Sequence, residues 1–560
     1  MTTTTTTTTT NHHPPPNFLF ILTDDQDLLL DSLTYQPLLQ KHITDKGTRF
    51  DKHYCTIALC CPSRVSMLTG RAAHNTNVTD VSGPYGGYAK FLSEGWNERY
   101  LPVWLQEAGY DTYYTGKLMN GLSVNTYNKP FPKGWNRTDF FLDPYTYLYN
   151  NVTVGHNEEV PKGCPGNYST DLALARGLDY LDAAIPRAGE RPFFIGVAPI
   201  APHSQSIGQR FDPAVPADRH KDLFPDARVP RRLNFNPDEA SGAGWIKTLE
   251  RFNDTAVDYL DEFHRLRIRS LQAVDELVEA LVERLEQTAP PEVVDNTYII
   301  YTSDNGYHIG QHRLAPGKAC AIEEDINIPF IVRGPGVAQG QNVSFPSSHT
   351  DLVPTIFELA GIPLQEDFDG VPIPVTVEQQ LALEHKAEHV NVEFWGFAGS
   401  EGQVSVCSGS TDTNTYKSLR IVADDYDLSY TVWCTNEHEL YDMKADPGQL
   451  KNIYANSSLI YGFEPAKLIA RVDALLLTLK DCTGVSCRLP WQTLHPAGDV
   501  RTLAAAMDAK FDDFYLQEQK KVSFSACAAG YLLEYEGAVG PVPYGAEAVV
   551  LERARWEDWT

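Results

Sequence analysis

Basic residues are in short supply in this chain. Its 46 lysines and arginines face 73 aspartates and glutamates, which leaves a net charge of −27 and a pI of about 4.9. Such a surplus repels nucleic acid and anionic membrane surfaces and excludes polyanion binding over a broad face. An anionic ligand therefore needs a local basic pocket. Also lacking is any apolar stretch approaching the roughly 20 residues that a membrane span requires, so a soluble chain is expected, with no membrane or nucleic-acid partner. The opening, Met1, then Thr2 to Thr10, then Asn11-His12-His13, has no apolar h-region. Residues 1–16 are expected to be a disordered lead, with no secretory signal in the chain as it stands. Internal repeats are absent, and the threonine tract is the only low-complexity segment.

What is present is enough apolar material for a large core, 42% of 560 residues. Length alone would allow three or four domains, but large α/β enzymes often keep most of such a chain in one core. The run "NFLFILTDD" is continuously apolar and ends in Asp24 and Asp25, as a strand buried on both faces does. "PFFIGVAPIAPH" and "NTYIIYTSDNG" repeat that design. Helical patterns lie between them. "LPVWLQEAG" spaces Leu101, Trp104, Leu105 and Ala108 along one face, and residues 256–288 form a long amphipathic stretch. The alternation predicts an α/β fold, a mainly parallel sheet covered by helices over residues 17–385, with ligands beyond the carboxyl ends of its strands. From about residue 386 shorter runs, "HVNVEFWG", "YKSLRIVA" and "SYTVWC", predict a smaller α+β subdomain with an antiparallel sheet, residues 386–560.

Localisation stays open between two signals. Asn-x-Ser/Thr sequons at Asn77, Asn136, Asn151, Asn167, Asn253, Asn342 and Asn456 suit a glycosylated surface. Ten cysteines, with Cys482 and Cys487 close together, suit an oxidising compartment. The absent leader points to an intracellular chain.

The chemistry gathers in "LCCPSRVSMLTGR", residues 59–71. Cys60 and Cys61 could be small buried hydrophobes. Pro62, however, suits the first turn of a helix, which puts the preceding residues where free N–H groups favour an anion, and Arg64 adds a fixed positive fork one turn on.

This stretch resembles the type I sulfatase signature, Cys-x-Pro-Ser-Arg followed by Leu-Thr-Gly-Arg. The resemblance runs from residue 17 to about 455 and implies an alkaline-phosphatase-like fold and a sulfuric ester hydrolase. It selects Cys60 as the residue converted to formylglycine (3-oxoalanine) by a formylglycine-generating enzyme, with Cys61 at the variable position. A hydrated aldehyde offers one hydroxyl as nucleophile and a second to expel sulfate afterwards, which a thiolate cannot do. Conversion leaves nine cysteines, so at least one is unpaired, and Cys61 is the candidate.

The family holds Ca²⁺, or another hard divalent ion such as Mg²⁺, on two carboxylates after the first strand and an Asp-Asn pair after a later one. The matching residues are Asp24, Asp25, Asp304 and Asn305, all oxygen donors of the kind such ions prefer, beside the modified Cys60. Lys117 in "TGKLMNG" and Lys318 in "APGKACAIEED" match the two lysines that contact sulfate. His203 in "APHS" matches the histidine that protonates the departing oxygen, and Asp304 is expected to orient and deprotonate the nucleophile. Arg64, Lys117, Lys318 and the metal together would supply the local positive site that the net charge demands.

One position departs from the family. Many arylsulfatases carry a histidine where this chain has Met119, and "GKLMNG" is nearer the form of glucosamine-6-sulfatases and fungal arylsulfatase-like members. His308 in "DNGYHIG" is the substitute base, and Asn120 either hydrogen-bonds substrate or closes a turn. Trp395 in "EFWG" either walls the pocket mouth or sits in the core. The expected substrate is a small sulfate ester, first an aryl sulfate. The alternatives are a glucosamine-6-sulfatase, a phosphate or phosphonate monoester hydrolase of the same superfamily, and an inactive sulfatase-like binding protein whose Cys60 is never oxidised. Oligomeric state and the role of residues 480–560 are not legible in the sequence.

Overall fold

A computed structural model describes residues 14–208, 210–383, 387–403 and 413–546. Most of the expected lead, the boundary near residue 385, and Cys407 lie outside the described residues. The centre is a ten-stranded sheet built from β1 (Asn17–Thr23), β2 (Thr48–Phe50), β3 (Asp111–Gly116), β4 (Arg137–Phe141), β5 (Thr153–His156), β6 (Lys162–Gly163), β7 (Phe193–Ala198), β8 (Thr297–Ser303), β9 (Phe330–Arg333) and β10 (Gln341–Val343). Its order is β10-β2-β9-β8-β1-β7-β3-β4-β5-β6. The four adjacent strands β8, β1, β7 and β3 are mutually parallel, while β9 and β5 run antiparallel to their neighbours.

Both faces of β1 are buried, as its unbroken apolar run requires. Successive side chains alternate between faces: Phe18, Phe20 and Leu22 join one core and Leu19 and Ile21 the other. Five principal helices cover the sheets. Helix α1 (Cys60–Thr69) and α4 (Leu352–Ala360) pack on the first face of the large sheet, and α2 (Ser169–Ala184) and the long α3 (Asp254–Thr288) on the second. Truncating any of these core side chains to alanine should cost about 2–5 kcal/mol.

The later runs form the expected antiparallel sheet, with β11 (His389–Phe394), β12 (Tyr416–Val422), β13 (Asp427–Trp433) and β14 (His438–Asp442) in sequence order. Helix α5 (Pro465–Leu479) shares a core with it. Disulfide Cys434–Cys527 staples the segment after α5 back onto this layer, Cys482–Cys487 closes a short loop within that segment, and Cys61 is a free buried thiol, as are Cys55, Cys60 and Cys320. Among the described residues no helix is long and apolar enough to cross a membrane. All the sequon asparagines except the half-buried Asn77 are exposed.

Candidate active site

Strand register brings the site together. β1 and β8 pair in step from Asn17↔Thr297 to Thr23↔Ser303, so Asp24 and Asp304 leave the sheet side by side. On the other flank Gly116 pairs with Ala198, and Lys117 emerges beyond it, its N–H donating to the Ala198 carbonyl (3.0 Å). Gly116 has φ +101°, and a Cβ there would lie 1.9 Å from the Ala198 oxygen, so only glycine lets β3 end this close to β7. His203 follows β7 by five residues. Four neighbouring strands thus each deliver polar groups to one point.

Helix α1 supplies the rest. Leu59 precedes it without a capping side chain, and Cys60 is its first residue. Its unsatisfied first-turn N–H groups and its dipole face the cluster, where they favour negative charge. The Cys60 sulfur lies 3.5 Å from Asp24 Oδ1, 3.8 Å from Asp25 Oδ1 and 3.1 Å from Lys318 Nζ. Burial holds the thiol well above its ordinary pKa, although Lys117 and Lys318 pull the other way. An unmodified cysteine here is therefore a protonated thiol and a poor nucleophile.

The charges nearest Cys60 are three carboxylates and three cations. Arg64 is wholly buried, donates from Nε to Asp304 Oδ2 (2.8 Å), and lies 3.7 Å from Asp24 Oδ2. Lys117 donates to Asp24 Oδ2 (2.6 Å) and Lys318 to Asp25 Oδ1 (2.5 Å). Burial would raise the Asp304 carboxyl, but Arg64, Lys117 and Lys318 hold it far below the usual range. Burial likewise opposes ionisation of Asp25, yet Lys318 and His203 bring it to about 2. The acid balance of the whole chain is thus locally cancelled.

These residues fit a hard divalent ion. Asp25 Oδ2 and Asn305 Oδ1 are buried without a hydrogen-bond partner, a state that costs about 1–3 kcal/mol per atom unless something else binds there. The ligand atoms of Asp24 and Asp25 lie within 4.8 Å of each other and of the Cys60 sulfur. Asn305 Nδ2 donates to Asp25 Oδ1 (2.8 Å), so the two residues that carry these unpartnered oxygens are in direct contact. A bound divalent ion would leave the pocket with net positive charge, suited to a sulfate ester.

Two expectations change. Asp304 is not among the hydrogen-bond partners of the Cys60 sulfur: its Oδ1 accepts from the N–H groups of Asp25 and Asn305 (both 3.0 Å) and its Oδ2 from Arg64. The carboxylates facing the sulfur are those of Asp24 and Asp25. Trp395 does not wall a pocket. It is 2% exposed, donates from Nε1 to Glu536 (2.7 Å) and carries Lys417 over its ring, because it belongs to the core between the two sheets.

Other residues fall close to the centre in specific ways. His203 Nε2 lies 3.6 Å from Asp25 Oδ2, and its Nδ1 lies 2.6 Å from the Ser204 carbonyl oxygen. His308 shares a cavity of about 20 Å³ with Lys318, and its Nδ1 is held by both oxygens of Asp325 (2.7 and 3.0 Å). Asn120 donates to the Tyr147 hydroxyl (2.8 Å), and its carbonyl accepts from Tyr88 N–H (2.8 Å). Three participants carry no sequence signal. Tyr147 stacks on His203, Glu401 lies 3.2 Å from Lys318 Nζ, and Arg267 of α3 donates to the carbonyls of Asp25 and Pro202. All three reach the site over long stretches of chain, which no local motif reports.

Comparison with known proteins places the chain in a family. The sulfatase family model matches residues 16–362, and the model for the C-terminal part of N-sulphoglucosamine sulphohydrolase matches residues 310–462. The Metarhizium majus sulfatase ppz1 is 49% identical over 405 residues, 72% of this chain and 87% of its own length. An arylsulfatase of Volvox carteri is 38% identical over 531 residues, 89% of this chain and 80% of its own. Human N-acetylglucosamine-6-sulfatase is 31% identical over 498 residues, 85% and 86% respectively. Among solved structures, one in complex with its substrate D-glucosamine-2-N,6-O-disulfate superposes with TM-score 0.63 at 21% identity, covering 79% of this chain and 94% of that one. The likeness to solved structures bears on the fold alone.

Proposed function

The chain belongs to the sulfatase family and is a sulfatase, and on that premise we propose that it is an arylsulfatase whose nucleophile is formylglycine made from Cys60. The observation that carries the reading is the position of Cys60 at the uncapped start of α1, its sulfur 3.5 Å from Asp24 and 3.1 Å from Lys318. The modified side chain would supply a geminal diol, and Asp24, Asp25, Asp304 and Asn305 would hold a calcium or magnesium ion that supplies positive charge beside it. The protein's own groups do the rest. Asp24 accepts the hydroxyl proton at position 60, since its Oδ1 already faces that side chain. Arg64, Lys117 and Lys318 hold the sulfate oxygens with charge that needs no reorganisation during reaction. His203 delivers a proton from Nε2 to the leaving oxygen, and His308, steadied by Asp325, serves as the base where Met119 stands in place of a histidine.

The preference for small aryl esters rests on two supports. Relatives called arylsulfatase match 89% of the chain, and a net charge of −27 disfavours sulfated polysaccharides. A glucosamine-6-sulfatase activity is the second reading, favoured by 31% identity to the human enzyme. On the same reading the modifying enzyme acts during maturation, and the exposed sequons carry N-glycans. The deciding experiment is peptide mass spectrometry on protein from the native host, followed by rates on p-nitrophenyl sulfate, p-nitrophenyl phosphate and glucosamine 6-sulfate. Conversion lowers the Cys60 peptide by about 18 Da. An unmodified Cys60, or a phosphate rate above the sulfate rate, would end this reading. A glucosamine 6-sulfate rate above the aryl rate would hand it to the second.

A further inference from the structure

We infer that Tyr147 is a positioning residue for proton transfer to the leaving group, acting through His203; the inference rests on the reading of His203 as the acid. The segment between β4 and β5 clamps this histidine from two sides. The Tyr147 ring stacks on the imidazole with centroids 4.2 Å apart and planes at 23°. Two residues on, Tyr149 donates its hydroxyl to the His203 carbonyl (2.7 Å). Both rings of the stack are buried, Tyr147 at 8% and His203 at 3% exposure.

The orientation that this clamp enforces is the one proton delivery needs. A carbonyl oxygen only accepts, so the 2.6 Å contact between His203 Nδ1 and the Ser204 oxygen places a hydrogen on Nδ1. Nε2 is then the nitrogen turned to the reaction centre, 3.6 Å from Asp25 Oδ2. One hydrogen bond leaves the imidazole free to rock about it, because the ring torsion of histidine is broad and roughly two-fold. The face of Tyr147 removes that freedom. Tyr147 is itself held, since its hydroxyl accepts from Asn120 Nδ2 (2.8 Å) and its ring lies 4.9 Å from Lys117 Nζ. A second tie joins the two loops where Asp143 Oδ2 accepts from Gly121 N–H (2.7 Å). The segment carrying Lys117, which binds sulfate in the proposed function, therefore also carries the support for the residue that aims the acid.

In the step concerned, an oxygen at position 60 bonds to sulfur and the bond from sulfur to the leaving oxygen breaks. The electron pair stays on that oxygen, and the proton moves to it from Nε2. A nitrophenolate leaves well without the proton; an unsubstituted phenolate does not. Removing the platform should therefore slow phenyl sulfate selectively.

The test compares His203→Ala, Tyr147→Leu and Tyr147→Phe on phenyl sulfate and p-nitrophenyl sulfate. His203→Ala should lose about a hundredfold or more on phenyl sulfate and far less on p-nitrophenyl sulfate. Tyr147→Leu should show the same pattern at lower amplitude, about tenfold against about threefold, while Tyr147→Phe, which keeps the ring face, stays near wild type. If Tyr147→Leu melts early, Tyr147→Met is read instead, since it keeps bulk without a flat face. Equal losses on both esters for the ring-less variants, or a Phe variant as slow as the Leu variant, overturn the inference while leaving the acid role intact. A His203→Ala variant with no leaving-group dependence overturns the acid role itself, and the inference with it.

Discussion

Glu401 Oε1 lies 3.2 Å from the ammonium of Lys318, which at the same time donates to Asp25 Oδ1 at 2.5 Å and sits 3.1 Å from the Cys60 sulfur. The backbone of Glu401 joins two loops of the site. Its N–H donates to the Pro316 carbonyl (2.7 Å), two residues before Lys318, and its own carbonyl accepts from Ser204 Oγ (3.0 Å), next to His203. The polypeptide that follows the first strand of the small sheet thus closes over a site made by the large one.

Neutralising that carboxylate should leave Lys318 drawn wholly toward Asp25. Glu401→Gln is expected to lower kcat/KM for p-nitrophenyl sulfate about tenfold, the size seen when groups that orient a ligand-contacting residue are removed. Because Asp25 still pairs with Lys318, the melting temperature should change little. Steady-state kinetics beside a thermal melt checks both, and an unaltered kcat/KM would show that Asp25 alone holds the lysine.

A divalent ion bound by Asp24, Asp25, Asp304 and Asn305 should stabilise the native chain by mass action. Calcium at a hundredfold excess over Kd is expected to add about 2.7 kcal/mol to unfolding free energy, and chelator should remove it. In Asp25→Asn, which deletes a charge beside the unpartnered Asn305 oxygen, that gain should shrink to within error. Denaturant titrations with calcium and with chelator measure it directly. A full calcium response in the variant would place the ion elsewhere.

Much of this site was readable because its residues sit at strand ends or inside one compact motif. Asp24, Asp25, Asp304 and Asn305 follow unbroken apolar runs, and Cys60 and Arg64 share one helical turn, so local pattern and family likeness both reach them. Trp395 stays open in the sequence between pocket wall and core, because "EFWG" looks the same whether its indole faces a cleft or the core. Only the distant Glu536, which accepts from its Nε1, shows which. The base role expected of Asp304 rested on likeness alone, and hydrogen-bond competition from Asp25, Asn305 and Arg64 is visible only in three dimensions. Tyr147 and Glu401 lie on connections without periodicity, and their partners are far away in the chain. Three strands of the large sheet, β1, β7 and β8, and three of the small one, β11, β12 and β13, are legible as apolar runs, whereas the order β8-β1-β7-β3, which decides what meets what, is a property of topology.

The tail beyond α5 should depend strongly on one crosslink. Cys434–Cys527 closes a separation of 93 residues, and Cys482–Cys487 one of 5. Loop-closure entropy makes the long bridge the stronger constraint on the unfolded chain, so Cys527→Ser is expected to cost about 2–5 kcal/mol and Cys487→Ser distinctly less. Urea midpoints of the two variants decide the order. A larger loss from the short bridge would mean that native packing around Asp369, whose Oδ1 accepts from Gly484 N–H, outweighs the entropy.

The small sheet is keyed to the large one by a buried charge triad whose pH dependence can be worked out. Glu393 of β11 accepts from Lys417 Nζ (2.6 Å) and from His74 Nδ1 (2.8 Å), while His74 Nε2 faces the Cys482 carbonyl at 2.8 Å. Acceptors at both ring nitrogens require the doubly protonated imidazolium. Burial works against both charges. Even so, Glu393 raises the His74 pKa above its ordinary value of 6.5, and His74 with Lys417 brings Glu393 from 4.5 to about 2. A lowered carboxylate contributes stability that is fully present above pH 4.5 and is lost as pH falls toward 2, on the order of 3 kcal/mol for a shift of this size. A raised histidine contributes below pH 6.5 and loses its share as pH rises through its folded value. Both contributions coexist between about pH 4.5 and 6.5. Glu393→Gln should destabilise the protein by about 3–5 kcal/mol in that window, because it leaves Lys417 and His74 as uncompensated buried charges. Its urea midpoint should also fall less steeply than wild type between pH 4.5 and 2.5. Parallel acid limbs in the two proteins would assign the acid sensitivity to other carboxylates.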